Sequence, residues 1–261
     1  MARPRSMKFV ASLLPHDRAT VFLSPRQIEV VTGKRGGPAQ AWPCAQLGAQ
    51  EWSGALAALG QWASDRQRSA ARRLHITLVI SDHWVRYAVL PADRGRLQRD
   101  EQEAFARAMI AERFGAAWES AQIRIGHGTA DEGILAAAVP SELLEELHTT
   151  LDAHAVTCAG VLPRFSHDLD TVKLESAASH ALYASLEPGR IVLALAGPDG
   201  WHWIQSPLSG EDPTQTLERE LAREQALMPP DEALPLFVFA HGVRLADRLD
   251  PSLRVVLQKP N

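Results

Sequence analysis

The chain has 261 residues, 46% of them hydrophobic and 22% charged, with a formal net charge of -4 at pH 7 and a pI near 6.2. This length accommodates one long domain or two ordinary ones, and the composition is that of a soluble globular protein without a run of about 18 apolar residues to span a bilayer. The small negative charge supplies no global basic field, which argues against nucleic acid as a partner.

Residues 1–18 place basic side chains before a short apolar run at 9–14. That run is too short for the core of a secretory signal, and no small-x-small cleavage site follows before His16, Asp17 and Arg18. The stretch reads as a mobile lead-in to the first strand. Residues 19–31 predict strand, turn and strand, with Ser24-Pro25-Arg26-Gln27 as the turn because proline presets its first dihedral. Gly33-Lys34-Arg35-Gly36-Gly37 lacks the order of a phosphate-binding loop and reads as a hairpin loop, with a short extended piece through Ala41 and Trp42. The spacing of Trp52, Leu56, Leu59 and Trp62 predicts a helix packed on a sheet. It runs out into a basic stretch carrying Arg66, Arg68, Arg72 and Arg73.

At residues 74–91, two apolar runs flank Ser81-Asp82-His83 and predict a β-hairpin with a polar turn. Serine, aspartate and histidine are also the residue types of a catalytic triad. Neighbours in a tight turn diverge, however, whereas a triad converges from separate segments. Residues 100–114 predict a helix, with an acidic first turn, Arg113 in the last, a stripe of Phe105, Met109, Ile110 and Phe114, and Gly115 as the stop. Short strands at 122–125 and 133–139 around a glycine-rich turn, a helix at 141–153 capped by Ser141, and a strand at 156–162 follow. Residues 165–183 read as a helix or a strand-poor connection. Residues 190–205 predict a hairpin turning on Gly197-Pro198-Asp199-Gly200. A helix at 213–227 with Thr214 as its cap and strands at 236–240 and 253–257 complete the pattern.

A hairpin-rich unit followed by a helix thus appears at 20–90 and again at 190–257. With the α/β stretch between them, this suggests an actin-like (ribonuclease H-like) α/β fold of two lobes carrying an inserted α/β subdomain. The expected borders are a lead-in at 1–18, a first lobe at 19–99, the inserted subdomain at 100–162 and a second lobe at 163–261.

The segment Val79-Ile80-Ser81-Asp82-His83-Trp84-Val85-Arg86-Tyr87 through Leu90-Pro91, with the helix that follows, resembles the GspL and PilM families. These are cytoplasmic assembly proteins of type II secretion and type IV pilus systems. The resemblance covers about residues 19–240 and includes Ile134 to Glu146 in the subdomain and Gly189 to Trp203 in the second lobe. It implies an actin-like fold in the cytoplasm, docked beneath an inner-membrane platform and holding the cytoplasmic segment of a bitopic membrane partner. Nucleotide-binding members of that superfamily carry a D-x-G turn between the first two strands of a lobe, where the acid holds a metal-bound water and glycine admits phosphate. Phe22-Leu23-Ser24 stands there in the first lobe, and Ala194-Leu195-Ala196-Gly197 is the stretch matched to it in the second. Both D-x-G turns therefore read as lost, which implies a non-catalytic scaffold with no cofactor. A divergent actin-like ATPase is the alternative. The secretion family continues into a membrane-spanning helix, whereas this chain ends at Gln258-Lys259-Pro260-Asn261 and resembles a free-standing version.

The partner-binding residues expected from this reading are Trp84 and Arg86 in the hairpin, and Arg72 and Arg73 in the basic run. That run is either a solvated helix end or a patch facing anionic headgroups in peripheral membrane association. Trp84, Trp201 and Trp203 serve either core packing or an interface, and a homodimer stays open. No metal site is expected: the ten histidines form no HxH or HExxH pair, His148 and His154 flank a helix end, and His167 and His180 stand isolated. Asp168, Asp170 and Glu175 read as a solvated capping region, because the first strand lacks the central carboxylate of a ribonuclease H-like nuclease. Cys44 and Cys158 read as reduced, partly buried thiols, as in a cytoplasmic protein.

Overall fold

The computed structural model describes residues 17–32, 39–45, 51–69, 74–128, 131–154, 156–171, 180–210, 213–225, 234–243 and 254–258. The lead-in up to His16, the Gly33–Gly37 loop, Glu175 and both Arg72 and Arg73 lie outside the described residues. The chain begins with β1 (Asp17–Leu23), β2 (Gln27–Thr32) and β3 (Gln40–Pro43), then α1 (Ser53–Ser69) and β4 (Leu74–Ile80). Next come β5 (Arg86–Leu90), α2 (Arg99–Phe114), β6 (Gln122–Ile125), β7 (Ile134–Val139), α3 (Ser141–Asp152), β8 (Thr157–Pro163) and α4 (Arg164–Thr171). The last part comprises β9 (Ala181–Glu187), β10 (Arg190–Gly197), β11 (Gly200–Gln205), α5 (Pro213–Gln225), β12 (Pro235–Ala240) and β13 (Arg254–Gln258).

Two five-stranded sheets share one plan, with orders β3-β2-β1-β4-β8 and β11-β10-β9-β12-β13. In each, the first three strands run antiparallel and the last two join parallel to the first. Parallel neighbours need a crossover, and α1 supplies it in the first lobe. Its buried residues Leu56, Leu59, Trp62 and Ala63 repeat at helical spacing. In α3, Leu143, Leu147 and Leu151 make one buried stripe at every fourth position. Ser141 is the first residue of α3 rather than its cap, and its hydroxyl donates instead to Ser120 O at 2.6 Å. Gly115 ends α2 with φ 98, as its position suggests.

The sheet pairings correct the expected hairpin at 74–91. β4 lies in the first lobe's sheet, whereas β5 pairs with β7 in a separate sheet of order β5-β7-β6. One turn of 3-10 helix, Asp82–Trp84, carries the chain from one sheet to the other, and Ser81 to Val85 are all buried. Residues 165–183 contain the expected helix as α4 and depart from expectation only at their end, where β9, the central strand of the second sheet, begins. β5 belongs with the inserted sheet, while α3 packs on α1 and β8 completes the first lobe.

The inserted sheet also leans on the second lobe, where Gly133 bridges Gly200 through Gly133 N to Asp199 O (2.9 Å) and Trp201 N to Gly133 O (3.0 Å). Phe165, fully buried at the head of α4, stands edge-on to Tyr87 of β5 (5.8 Å) and to Trp201 of β11 (6.1 Å). One ring therefore touches both neighbouring units. Phe165→Ala should cost about 3–5 kcal/mol through the cavity and lost contacts, measured by urea unfolding. A loss below about 1 kcal/mol would show that the junction repacks without that ring.

Candidate functional site

A buried polar cluster sits where the ends of β4 and β9 meet across the lobes. Asp82 and Glu187 are 1% and 3% exposed. The Glu187 carboxylate accepts from Ser81 Oγ (2.9 Å) and from the Asp82 amide (2.7 Å), so a side chain of the second lobe caps the turn that leaves β4. Asp82 Oδ1 accepts from the Tyr87 hydroxyl at 2.5 Å and from Phe165 N at 3.3 Å. Among the described residues its Oδ2 has no hydrogen-bond partner. Burial, reinforced by the nearby Glu187 charge, pushes the Asp82 carboxyl well above its ordinary range. Burial, and then Asp82, push the Tyr87 phenol up as well.

His83 Nε2 lies 3.0 Å from Pro188 O, and because a carbonyl only accepts, Nε2 carries the hydrogen. Burial holds this imidazole below its ordinary value. Gly189 has φ 91, and a Cβ there would sit 3.3 Å from His83 Cε1, so glycine serves both the turn and the ring beside it. Arg190 donates to Ser206 O (2.7 Å), and Arg86 donates to Val85 O (2.8 Å) and His83 O (3.1 Å). Burial, then Arg190, lower the Arg86 guanidinium to about 10. Next to this cluster Asp168 accepts from Ser185 (2.9 Å) and pairs with His241 Nε2 (2.8 Å). Burial raises its carboxyl, but the neighbouring His167 and the hydrogen-bonded His241 outweigh that and hold it below the ordinary range. Asp168 is thus a buried tie between α4 and the second lobe, not part of a solvated cap, although Asp170 is exposed.

Ser81, Asp82 and His83 point to Glu187, Tyr87 and Pro188 respectively, so they do not converge as a triad. Trp84 is 2% exposed and packs in the main core, which leaves it no surface to offer a partner. Arg86 is half-buried, with its guanidinium 4.7 Å from the Trp118 ring centroid and 5.5 Å from that of Phe114. Both are expected in a hairpin, whereas the turn that carries Trp84 crosses between sheets. Cys44 is buried and Cys158 half-buried, and burial raises the Cys44 thiol to about 11.

The matching sheet plans also relocate the second lobe's counterpart of D-x-G. The first two strands of that lobe are β9 and β10, so the equivalent turn is Glu187-Pro188-Gly189, not Ala194 to Gly197. An acid-x-glycine is present there, with its acid already bonded across the lobes. The first-lobe turn has neither residue. Its Ser24 hydroxyl donates to Gln27 O (2.8 Å), and its Ser24 amide also bonds Gln27 O (3.0 Å), closing the turn on itself.

Sheet edges are the other candidate contact surface. Along β6 and the residue before it, the carbonyls of Ala121, Ile123 and Ile125 accept from Arg107 (2.5 Å), Arg124 (3.1 Å) and Arg99 (2.8 Å), so guanidinium groups cover that edge. β8 is the outer strand of the first sheet and carries a bulge, with Thr157 and Ala159 exposed and open space over Gly160.

No protein-family model and no curated protein matches the chain. Solved structures do. The cytoplasmic domain of EpsL, an inner-membrane component of the type II secretion system of Vibrio cholerae, is 14% identical with TM-score 0.58, covering 94% of this chain and 90% of that one. A PilM-PilN type IV pilus biogenesis complex gives 15% identity and TM-score 0.61, covering 86% and 81%. A Bacteroides thetaiotaomicron protein with an actin-like ATPase fold and unknown function gives 10% and 0.56, covering 89% and 84%. The chain has the actin-like (ribonuclease H-like) fold that these proteins share. Among the described residues, no helix is long and apolar enough to cross a membrane.

A carboxyl held above its ordinary 3.8 binds protons more readily folded than unfolded, so Asp82 removes stability as pH rises from about that value. His83 acts oppositely, removing stability as pH falls below 6.5. Asp82→Asn keeps an acceptor for Tyr87 and Phe165 and cannot ionise. In urea unfolding it should match the wild type near pH 4 and exceed it at pH 8. An equal difference at both pH values would remove Asp82 ionisation as the cause.

Proposed function

We propose that this chain is a non-catalytic scaffold at the cytoplasmic face of an inner membrane, docking onto a platform protein of a type IV pilus or type II secretion-like machine. The observation that supports it best is the closed junction: the only acid in the two phosphate-loop positions, Glu187, caps the turn at Asp82. The first-lobe turn spends its hydroxyl and amide on itself. With the nucleotide position given to holding the lobes together, surface recognition is the work left to this fold. The shared fold with the EpsL domain and with PilM in its complex with PilN favours the same kind of work.

The ligand on this reading is the short cytoplasmic segment of a bitopic membrane protein, added as an extra strand to the outer edge of β8. That edge is seven residues long. β3, at the other end of the sheet, has only four residues, while arginines cover β6. Partner contact thereby moves from Trp84 to β8. Arg72 and Arg73 keep the peripheral role of meeting anionic headgroups. In fractionated cells the chain should follow the inner membrane and shift to the cytosol in a strain lacking its platform protein. Ala159→Lys, a charge on the open edge, should produce the same shift without changing Tm. An unchanged distribution in every platform deletion would overturn the docking reading.

A divergent actin-like ATPase is the second reading, favoured by the retained Glu187-Pro188-Gly189 turn. The two readings separate in a thermal unfolding scan with ATP and magnesium. A site filled at 100 times its dissociation constant adds about 2.7 kcal/mol and raises Tm. The scaffold reading expects no shift at millimolar nucleotide, and a shift abolished by Glu187→Gln would replace it with the ATPase reading.

A further inference from the structure

We propose that His180, Asp199 and His202 form a binding site for one divalent transition-metal ion. The sequence separates these residues, yet the fold gathers them at one end of the second sheet. His180 directly precedes β9, Asp199 lies in the turn joining β10 to β11, and His202 follows within β11. Their ligand atoms lie within 4.8 Å of one another. His202 Nε2 and Asp199 Oδ1 are 3.0 Å apart, and the two imidazole centroids are 5.0 Å apart. An ion that holds nitrogen and oxygen at about 2.0–2.2 Å in a tetrahedron sets neighbouring ligand atoms roughly 3.3–3.6 Å from each other. The His202–Asp199 ion pair is already within a few tenths of an ångström of that spacing. His180 is half-buried, and its ligand atom lies within 4.8 Å of the other two.

Gly197 is a second observation that points to the same place. A Cβ on it would lie 2.4 Å from His180 Cδ2, 2.7 Å from His180 Nε2 and 2.8 Å from His202 Nε2. The two imidazoles therefore approach each other over a backbone position without a side chain, and any larger residue would drive them apart. Two imidazoles and a carboxylate form a mixed nitrogen and oxygen set, which suits zinc, nickel or copper and not magnesium or calcium. Three protein ligands leave further coordination positions for water or for a group on another molecule.

The site adjoins the contact between Gly133 and the β10–β11 turn, because Asp199 also supplies the carbonyl bonded by Gly133 N at 2.9 Å. A bound ion would fix that turn and stiffen the seam between the second lobe and the inserted sheet.

The test uses the full chain, freed of metal by chelator, with Zn2+ as the probe in titration calorimetry and thermal unfolding, and Co2+ absorption as an independent readout of coordination. One ion should bind per chain and raise Tm. His202→Ala and Gly197→Ala should each weaken zinc at least tenfold, whereas His148→Ala, at an exposed histidine on α3, should leave it unchanged. Mg2+ should not raise Tm. The proposal is overturned if zinc fails to bind, or if a folded His180→Ala/Asp199→Asn/His202→Ala variant binds it as tightly as the wild type. An equal Tm rise with Mg2+ would overturn the transition-metal assignment.

Discussion

One carboxylate stands at the centre of the contact between the lobes. Glu187 ends the central strand of the second sheet and caps the turn that ends β4, the central parallel strand of the first. Through Asp82 the same turn reaches Tyr87 of the inserted sheet and the first residues of α4. Removing that acceptor would leave the Ser81 hydroxyl and the Asp82 amide buried without it, at roughly 1–3 kcal/mol for each orphaned group. Three units of the fold therefore depend on it together, and Phe165 packs its ring over the same place.

Much of the fold was legible in the sequence because its elements follow simple periodicities. The buried leucines of α3, the acidic start and glycine stop of α2, and the turn of the β10–β11 hairpin all declare themselves locally. The two failures have physical causes. β4 and β5 are apolar runs around a polar triplet, which is the pattern of a hairpin; only pairing with distant strands shows that the triplet is a buried crossing between sheets. β9, Ala-Leu-Tyr-Ala-Ser-Leu-Glu, is buried along its whole length and so lacks the alternation that marks a half-exposed strand. Its alanines and leucines favour helix as readily.

Missing β9 also hid the site. Once β9 is the first strand of the second lobe, the chain itself supplies the acid-x-glycine at Glu187 and Gly189, one strand earlier than the stretch matched by sequence. A signal was available: Glu-Pro-Gly between two apolar runs is a turn with an acid at its entrance. The His180–Asp199–His202 grouping was illegible for a different reason. Two of its members are three residues apart, but the third joins them only through the antiparallel pairing of β9 with β10, which brings Ala181 opposite Ala196.

The two equivalent turns explain why scaffold and ATPase readings are alternatives and not degrees of one activity. To face a metal-bound phosphate, Glu187 would have to release Ser81 and the Asp82 amide, leaving the first-lobe turn uncapped unless the lobes opened and water replaced it. The first-lobe turn could not share the load, since Leu23 and Ser24 bring no charge and Ser24 is already bonded to Gln27. Nucleotide binding would therefore need enough energy to part a seam that also holds Tyr87, Phe165 and His83 in place. A peptide strand laid along β8 asks for none of this, because it uses backbone groups on the outer side of that strand and leaves the bonds of Glu187 in place.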